Sequence, residues 1–152
     1  MLRRMQQLSQ SDLPAVLEIE TRAFCDPWPE AAFSADILQH AWILEVDDQL
    51  CGYIIYHLVL DEAIILNFAI DPDMRRQGHG THLLSRTLSE LEQSGYTRFY
   101  LDVRRSNRAA IQLYEKHGFM CLGIRKSYYN DPEEDAILMG KILTNQGNSH
   151  DS

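Results

Sequence analysis

The sequence predicts a mixed α/β fold in which helices cover a central sheet. The chain has 152 residues, of which 45% are apolar and 24% charged, and this is enough to bury a core in one domain. Helical and strand-like segments alternate in the middle of the chain, and pairs of strand-like segments flank them. We expect the domain to occupy residues 1–143. Residues 144–152 are expected to form a disordered tail, because they are polar and rich in Gly, Asn and Ser.

The first half of the chain predicts two helices followed by three strands. Pro14 would lie in the first turn of the first helix, where its missing N–H costs nothing, and Pro27 separates the two helices. Phe33 and Ile37 would share one face of the second helix. The last strand is almost continuously apolar, which is typical of a strand buried on both faces. The predicted helices span 12–24 and 29–38, and the predicted strands span 42–46, 52–60 and 63–70, with a polar turn at 47–49.

The second half of the chain predicts two further helices among strands. Leu84, Leu88 and Leu91 follow the i, i+4, i+7 spacing of a helix with one apolar face. Gly95 and Gly118 are C-terminal stop signals for the two helices. The predicted helices span 81–94 and 107–117, and the predicted strands span 100–103, 119–124 and 135–142.

Charge and composition argue against several classes of protein. The formal net charge is -8, whereas a general nucleic-acid binder is usually basic. No run reaches the roughly 18 apolar residues of a membrane span, and the start of the chain lacks the apolar core of a signal peptide. Cys25, Cys51 and Cys121 form no CxxC pair, and the scattered histidines do not supply three or four zinc ligands. We therefore expect a cytoplasmic enzyme without a metal, and neither nucleic acid nor membrane as a partner.

The most informative segment is Arg-Arg-Gln-Gly-His-Gly-Thr at residues 75–81, which follows a buried strand and begins a helix. Its glycines allow a tight turn and close approach to a ligand, and the free N–H groups at the helix start suit a pyrophosphate. The segment matches neither the Walker A motif nor the Rossmann fingerprint. Taken alone, it is equally compatible with a plain glycine-rich helix start flanked by solvated arginines.

The same segment carries a family signature. Arg75-x-x-Gly78-x-Gly80 resembles the acetyl-CoA motif, Gln/Arg-x-x-Gly-x-Gly/Ala, of the GCN5-related N-acetyltransferase (GNAT) superfamily. Within the superfamily, the chain is most similar to the bacterial ribosomal-protein alanine N-acetyltransferases (the RimI family). The resemblance implies the GNAT fold, a mixed, mostly antiparallel central sheet flanked by helices. The resemblance extends over residues 7–142. Besides the glycine-rich segment, it is carried by residues 26–28, 60–63, 67–72, 103–107, 113–119, 128–129 and 134–136.

The resemblance implies direct transfer of an acetyl group from the co-substrate acetyl-CoA to an amine, with no metal and no covalent enzyme intermediate. The implied acceptor is a protein N-terminal α-amino group, that of the N-terminal alanine of ribosomal protein S18. An α-amino group has a pKa near 7.7–8.0 and a lysine one near 10.4, so deprotonating the lysine costs about 3.4 kcal/mol more at pH 7. Other protein N-termini, small amines, and a non-catalytic CoA-binding module stay open as alternatives.

By the same resemblance, main-chain groups hold the co-substrate. The end of the buried strand would bind the pantetheine arm, and the glycine-rich turn would bind the pyrophosphate. Asn107 would contact CoA near the pantetheine, although Asn at this position is equally suited to cap the following helix. The implied residues are Phe68, Ala69 and Ile70 for the arm, and Arg76, Gln77, Gly78, His79, Gly80 and Thr81 for the pyrophosphate.

Two residues match the family's proton-transfer positions. Tyr114 matches the general acid that protonates the departing thiolate, although its place on an apolar helix stripe also fits a core aromatic. Asp102 lies where these enzymes would carry a glutamate as general base, and its side chain reaches about 1.5 Å less. It could act through a water, or it could be a plain exposed strand carboxylate. Glu62 is the alternative base.

The acceptor is expected to bind between two aromatic segments. Tyr128 and Tyr129 lie between the closing strands, in what we predict to be a loop flanked by basic residues. In N-terminal acetyltransferases an equivalent tyrosine-bearing loop lines the peptide entry. Trp28 would form the opposite wall. The alternative is an aromatic loop that only packs on the domain.

Overall fold

The computed structural model describes residues 1–144, and residues 145–152 of the predicted tail lie outside the described residues. Its centre is one sheet of seven strands: β1 (Arg3–Gln7), β2 (Ala41–Val46), β3 (Gln49–Val59), β4 (Glu62–Ile70), β5 (Arg98–Arg104), β6 (Met120–Asn130) and β7 (Glu133–Ile142). Three α-helices cover it: α1 (Leu13–Ala23), α2 (His79–Gln93) and α3 (Arg108–Lys116). The strand order is β1-β2-β3-β4-β5-β7-β6, and of the pairs in this sheet β4–β5 alone is parallel. The predicted mixed, mostly antiparallel sheet is confirmed.

The parallel contact between β4 and β5 is short. It joins only residues 62–64 of β4 to residues 98–100 of β5. Beyond this point, β4 stays paired with β3, and β5 stays paired with β7. A β-bulge at Leu66 of β4, opposite Ile55 and Tyr56 of β3, lies close to where β4 and β5 part, and a bulge bends the strand that carries it. The sheet therefore splits near its middle and leaves a gap between the second halves of β4 and β5.

Two layers of apolar side chains cover the two faces of the sheet. The layer beneath α2 and α3 includes the predicted stripe Leu84, Leu88 and Leu91, all of which are buried. The layer beneath α1 includes Val16 and Ile19. The longest of these helices, α2, has 15 residues, and among residues 1–144 no helix is long and apolar enough to span a bilayer.

The helix predicted at 29–38 is wrong. The structure has two short 3-10 turns in this part of the chain, Glu30–Ala32 and Ile37–His40. Phe33 between them has φ -88° and ψ 58°, outside the helical region, and its ring packs against Trp28 with centroids 5.3 Å apart. Phe33 and Leu38 are both buried, and their separation of five residues does not place them on one face of a helix.

The sequence also did not indicate strand β1. Its residues are nearly all polar, because an edge strand that pairs only with β2 leaves most of its side chains in solvent. Met5 is the residue of β1 that packs against the core. The prediction for the segment 119–124 was too short, since β6 continues to Asn130.

Candidate active site

The glycine-rich turn lies between the end of β4 and the start of α2. Arg76 and Gly78 both have left-handed backbone angles, with φ values of 65° and 82°, and a left-handed φ is one that glycine adopts without strain. Gly78 is the N-cap of α2, so the N–H groups just after it have no carbonyl partner within the helix. A Cβ built on Gly80 would lie 3.5 Å from Ile70 Cγ1, which places the first turn of α2 directly beside the end of β4.

Most of the turn is open to solvent, but His79 is not. Arg76, Gln77 and Gly78 are exposed, whereas the His79 side chain points inward and is 1% exposed. Free main-chain N–H groups at the positive end of a 15-residue helix fit a diphosphate. Main-chain groups of the turn can therefore make the predicted contacts to the pyrophosphate. At His79 only the main chain can do so, because the side chain is buried.

The end of β4 presents part of its backbone to the gap. The Asp71 N–H donates to the Cys51 oxygen of β3 at 2.7 Å, and the Ala69 carbonyl is also directed at β3, 2.6 Å from where a Cβ on Gly52 would stand. Successive residues of a strand direct their main-chain groups to opposite sides. The Phe68 and Ile70 main-chain groups therefore face the gap, and of the three predicted pantetheine contacts only Ala69 faces away from it.

Asp102 lies on β5, where the sheet begins to split. Its Oδ1 accepts a hydrogen bond from Arg125 Nε at 2.9 Å, and its side chain is 26% exposed. It lines a cavity of about 250 Å³ together with Ile64, Tyr100, Leu101, Arg125 and Leu138. Glu62 lies opposite Arg98 in the paired part of β4 and β5, before the strands separate. The structure thus brings Asp102, and not Glu62, to the gap.

Tyr114 packs in the core beneath the gap. Its ring centroid lies 6.1 Å from that of Phe68 on β4 and 5.7 Å from that of Phe119. Burial raises the pKa of the phenol above its ordinary value, with a smaller contribution from Tyr129. The two roles expected from the sequence, core aromatic and proton donor, are both compatible with this position, since the buried phenol keeps its proton.

Tyr128 and Tyr129 are brought together, but not in a loop. They lie in strand β6, beyond a bulge between Arg125 and Tyr129 in which Ser127 has φ 49°. The predicted loop is wrong, because this segment continues pairing with β7 as far as Asn130. The two rings meet edge to face at 5.1 Å. Burial and the charge of the nearby Asp102 raise the pKa of Tyr129 to about 12.

Trp28 is held by a buried carboxylate. Its main-chain N–H donates to Glu20 Oε2 at 2.9 Å, and Glu20 is 2% exposed. Glu20 also accepts from the Tyr53 hydroxyl at 2.6 Å and from Asn67 Nδ2 at 2.8 Å. Burial raises the pKa of the Tyr53 phenol, and its hydrogen bond to Glu20 and the charge of Glu20 add to this effect. One carboxylate thus ties the Trp28 segment to β3 and β4.

A single arginine joins the two aromatic segments. Arg104 Nη2 donates to Asp26 Oδ2 at 2.8 Å, two residues before Trp28, and its Nη1 donates to Glu134 Oε1 at 3.1 Å. Its guanidinium also lies 4.3 Å from the ring centroid of Tyr129. The Trp28 segment and the β6–β7 hairpin are therefore connected across the end of β5.

Asn107 caps helix α3. Its Oδ1 accepts from the Ala110 N–H at 3.1 Å, and the residue is exposed. The amide nitrogen of the same side chain stays available to a ligand. Within residues 1–144, no group of three His, Cys, Asp or Glu side chains is arranged to hold a metal ion.

The family model of the GNAT acetyltransferases matches residues 13–119. This chain belongs to the GNAT acetyltransferase family. It is 43% identical over 136 residues to a [ribosomal protein bS18]-alanine N-acetyltransferase of Salmonella typhimurium, covering 87% of this chain and 92% of that one. Among solved structures, it is similar to the ribosomal-protein-S18-alanine N-acetyltransferase of Escherichia coli, with TM-score 0.89, 39% identity and coverage of 97% and 98%. It is also similar to Ard1 of Thermoplasma volcanium, with TM-score 0.86, 26% identity and coverage of 93% and 98%.

Three residues of this acetyltransferase site were not identified from the sequence. Arg104 and Arg125 make contacts that depend on strand register, which no local pattern reveals. For Glu20 a signal was present: a carboxylate on the same helical stripe as the buried Val16 and Ile19 needs a polar partner inside the protein.

Proposed function

We propose that this GNAT acetyltransferase transfers the acetyl group of acetyl-CoA to the N-terminal alanine of ribosomal protein S18. The similarity to enzymes named for this reaction, over nearly the whole chain, supports the acceptor. The observation that carries the proposal is the split between β4 and β5, with a diphosphate-suited turn on one side and Asp102 on the other. We assign the catalytic domain to residues 1–143. The three free cysteines suit a reducing cytoplasm, where we place the enzyme.

Acetyl-CoA would be held mainly by main-chain groups. The N–H groups of Gly78 to Thr81 would receive the diphosphate, and the free main-chain groups of Phe68 and Ile70 would pair with the pantetheine arm as an added strand does. Acetyl-CoA supplies the activated thioester, and an N–H of β4 would polarise its carbonyl. Asn107 would contribute the amide nitrogen that the cap leaves available.

Asp102 would receive the proton that the acceptor amine loses. Its carboxylate lies at the gap and is partly exposed, so an amine or one intervening water can reach it. The ion pair with Arg125, whose Nε lies 2.9 Å from Oδ1, orients the carboxylate. An N-terminal amine, whose pKa is near 8, needs only a modest base of this kind at neutral pH.

Tyr114 would return a proton to the departing thiolate. Because burial raises the pKa of its phenol, the hydroxyl is protonated throughout the physiological range. The ring is held between Phe68 and Phe119, which directs the side chain toward β4. From beside the strand that would bind the pantetheine arm, the phenol would act on the sulfur.

The acceptor peptide would enter between the Trp28 segment and the two tyrosines. Trp28 is half-buried and its main chain is fixed by Glu20, while Tyr128 keeps 51% of its surface exposed. Large, rigid aromatic side chains of this kind supply binding area at low cost in side-chain entropy. Arg104 sets the spacing of the two walls.

Mass spectrometry of a peptide with the N-terminal sequence of S18, incubated with enzyme and acetyl-CoA, tests the proposal. We expect one acetyl group on the α-amino nitrogen, located by fragmentation. A peptide blocked at its N-terminus but carrying a lysine is the matched control and is expected to stay unmodified. Other N-terminal peptides, polyamines and aminoglycosides are tested in parallel. Acetylation of one of these, and not of the S18 peptide, would show that the acceptor is misassigned. CoA binding with no product on any of them would mean a non-catalytic module.

A further inference from the structure

An arginine at the far edge of the sheet reaches the turn assigned to the diphosphate. Arg3 belongs to β1, which among residues 1–144 pairs only with β2, yet its side chain contacts the turn before α2. Its Nε donates to His79 Nδ1 at 3.1 Å, and its Nη2 donates to the main-chain oxygen of Gln77 at 2.9 Å. Two nitrogens of one guanidinium therefore hold two points of the turn.

The two points lie on either side of Gly78. A Cβ built on Gly78 would lie 3.4 Å from Arg3 Nη2, so the guanidinium is in contact with this residue as well. Arg76 and Gly78 have left-handed backbone angles, which for a residue other than glycine persist only when the surroundings hold them. Arg3 supplies contacts of that kind just where the chain reverses into the helix.

The His79 ring depends on the same arginine. The ring is 1% exposed, and burial together with the positive charge of Arg3 lowers its pKa, so it is neutral at neutral pH. Since Nδ1 accepts the hydrogen bond from Arg3, the ring proton lies on Nε2, which is buried and has no partner among residues 1–144. The Arg3 hydrogen bond is thus the ring's one polar contact in the described part of the chain.

We propose that Arg3 is a positioning residue for acetyl-CoA: by holding Gln77 and His79, it fixes the turn so that its N–H groups converge on the diphosphate before the ligand arrives. This inference rests on the proposed function, because it assigns the diphosphate to this turn. A turn that is already ordered loses less conformational freedom on binding, which raises affinity. Arg3 acts through the turn and has no part in the transfer step.

Calorimetric titration of CoA into the wild-type protein, Arg3→Ala and Arg4→Ala tests the proposal. Arg4 is the matched control, since it is the next residue of β1, is exposed, and makes only a 3.8 Å pair with Asp48. Loss of two charged-donor hydrogen bonds to the turn is expected to weaken CoA binding by about tenfold in Arg3→Ala. Arg4→Ala is expected to bind CoA as the wild type does. Equal affinity of Arg3→Ala and wild type would overturn the inference.

Steady-state kinetics separate positioning from general damage to the fold. We expect Arg3→Ala to raise KM for acetyl-CoA while kcat and KM for the acceptor peptide stay near wild type. A fall in kcat with unchanged KM for acetyl-CoA would instead indicate a loss of folded protein and would contradict the proposal. Failure of the wild-type protein to bind CoA would remove the proposed function itself, a result distinct from equal binding by the variants.

Two further variants keep the test valid if Arg3→Ala folds poorly. His79→Leu removes the ring acceptor while filling the buried site, and in a double-mutant cycle with Arg3→Lys the two losses of CoA affinity should not add. Arg3→Lys keeps the charge but lacks the fork of nitrogens, and it should recover only part of the affinity. Additive losses would mean that Arg3 and His79 act independently, and full affinity with lysine would assign the effect to charge alone. Either result would overturn the positioning role.

Discussion

We propose that Asp102, oriented by its partner Arg125, takes the proton that the acceptor amine loses. The carboxylate has one fewer methylene than the glutamate expected at this position, but it lies at the gap and is oriented by a 2.9 Å ion pair. We expect Asp102→Asn to lower kcat by about 100-fold or more, with little change in KM for the acceptor peptide.

Steady-state kinetics with an S18 peptide measure this, and Glu62→Gln is the control. Glu62 lies in the paired part of β4 and β5, so its variant is expected to turn over like the wild type. If Asp102→Asn kept full turnover, the proton would be taken by Glu62 or by bulk water, and the role given to Asp102 would be wrong.

The role of Tyr114 can be tested by removing a single oxygen atom. Tyr114→Phe leaves the ring between Phe68 and Phe119 and removes only the hydroxyl. We expect kcat to fall by about 100-fold while calorimetric affinity for CoA stays at the wild-type value, because the role that we propose for the hydroxyl begins only when the thiolate leaves. Unchanged kcat would mean that solvent protonates the sulfur.

The lowered pKa of His79 makes the free energy of unfolding depend on pH. Its pKa is lowered from 6.5, first by burial and then by Arg3, against a smaller opposing effect of Asp47. The unfolded chain therefore binds the proton more readily, and stability is lost as the pH falls through about 6.5 toward the lower folded value. Nearby His82, whose pKa is lowered by burial, Arg3, Arg86 and His79, acts in the same direction.

Urea unfolding between pH 5 and pH 7.5 checks this expectation. The free energy of unfolding should fall less steeply toward low pH in His79→Leu than in the wild type. His82→Gln is the companion variant that isolates the second histidine. Parallel curves for the wild type and His79→Leu would show that His79 is not kept neutral by the fold.

At the level of secondary-structure elements, Arg104 connects the Trp28 segment to the β6–β7 hairpin. It is only 13% exposed and bonds both Asp26 and Glu134, so removing it leaves two carboxylates without their partner. We expect Arg104→Ala to raise KM for the acceptor peptide by about tenfold and to leave the affinity for CoA unchanged.

The neighbouring Arg105 gives the control for this prediction. Its side chain is 57% exposed and pairs with Asp135 at 3.5 Å, on the hairpin but away from the Trp28 segment. Arg105→Ala should behave as the wild type does, because exposed pairs of this kind contribute little. An equal rise of KM in both variants would indicate a general electrostatic effect rather than a link between the walls.

The helices and strands that could be predicted from the sequence are those whose buried faces give a regular pattern of apolar residues. Helix α2 has the leucine stripe and a glycine stop, and β4 has a continuous apolar run, so both are recognisable. Strand β1 and the segment 29–38 are not, because the first lies at a solvent-exposed edge and the second buries Phe33 and Leu38 without a helical repeat. The length of β6 was also missed, since it depends on a bulge and on pairing with β7.

On the scale of the whole molecule, the split sheet brings the site together. Residues 62–64 and 98–100 hold β4 and β5 side by side, and the pairing of the two strands ends before Asp102. Sequence motifs indicated the turn, Asp102 and Tyr114, each of which lies in or beside a recognisable segment. The arginines that link these parts could not be predicted, because their partners are set by pairings of residues far apart in the chain.

A crystal structure of the CoA complex tests most directly whether this gap is the co-substrate site. We expect the diphosphate against the main-chain N–H groups of Gly78 to Thr81, and the pantetheine arm between β4 and β5 beside Phe68 and Ile70. Electron density for CoA anywhere else, or a diphosphate held by side chains with the main chain of the turn uninvolved, would contradict this assignment.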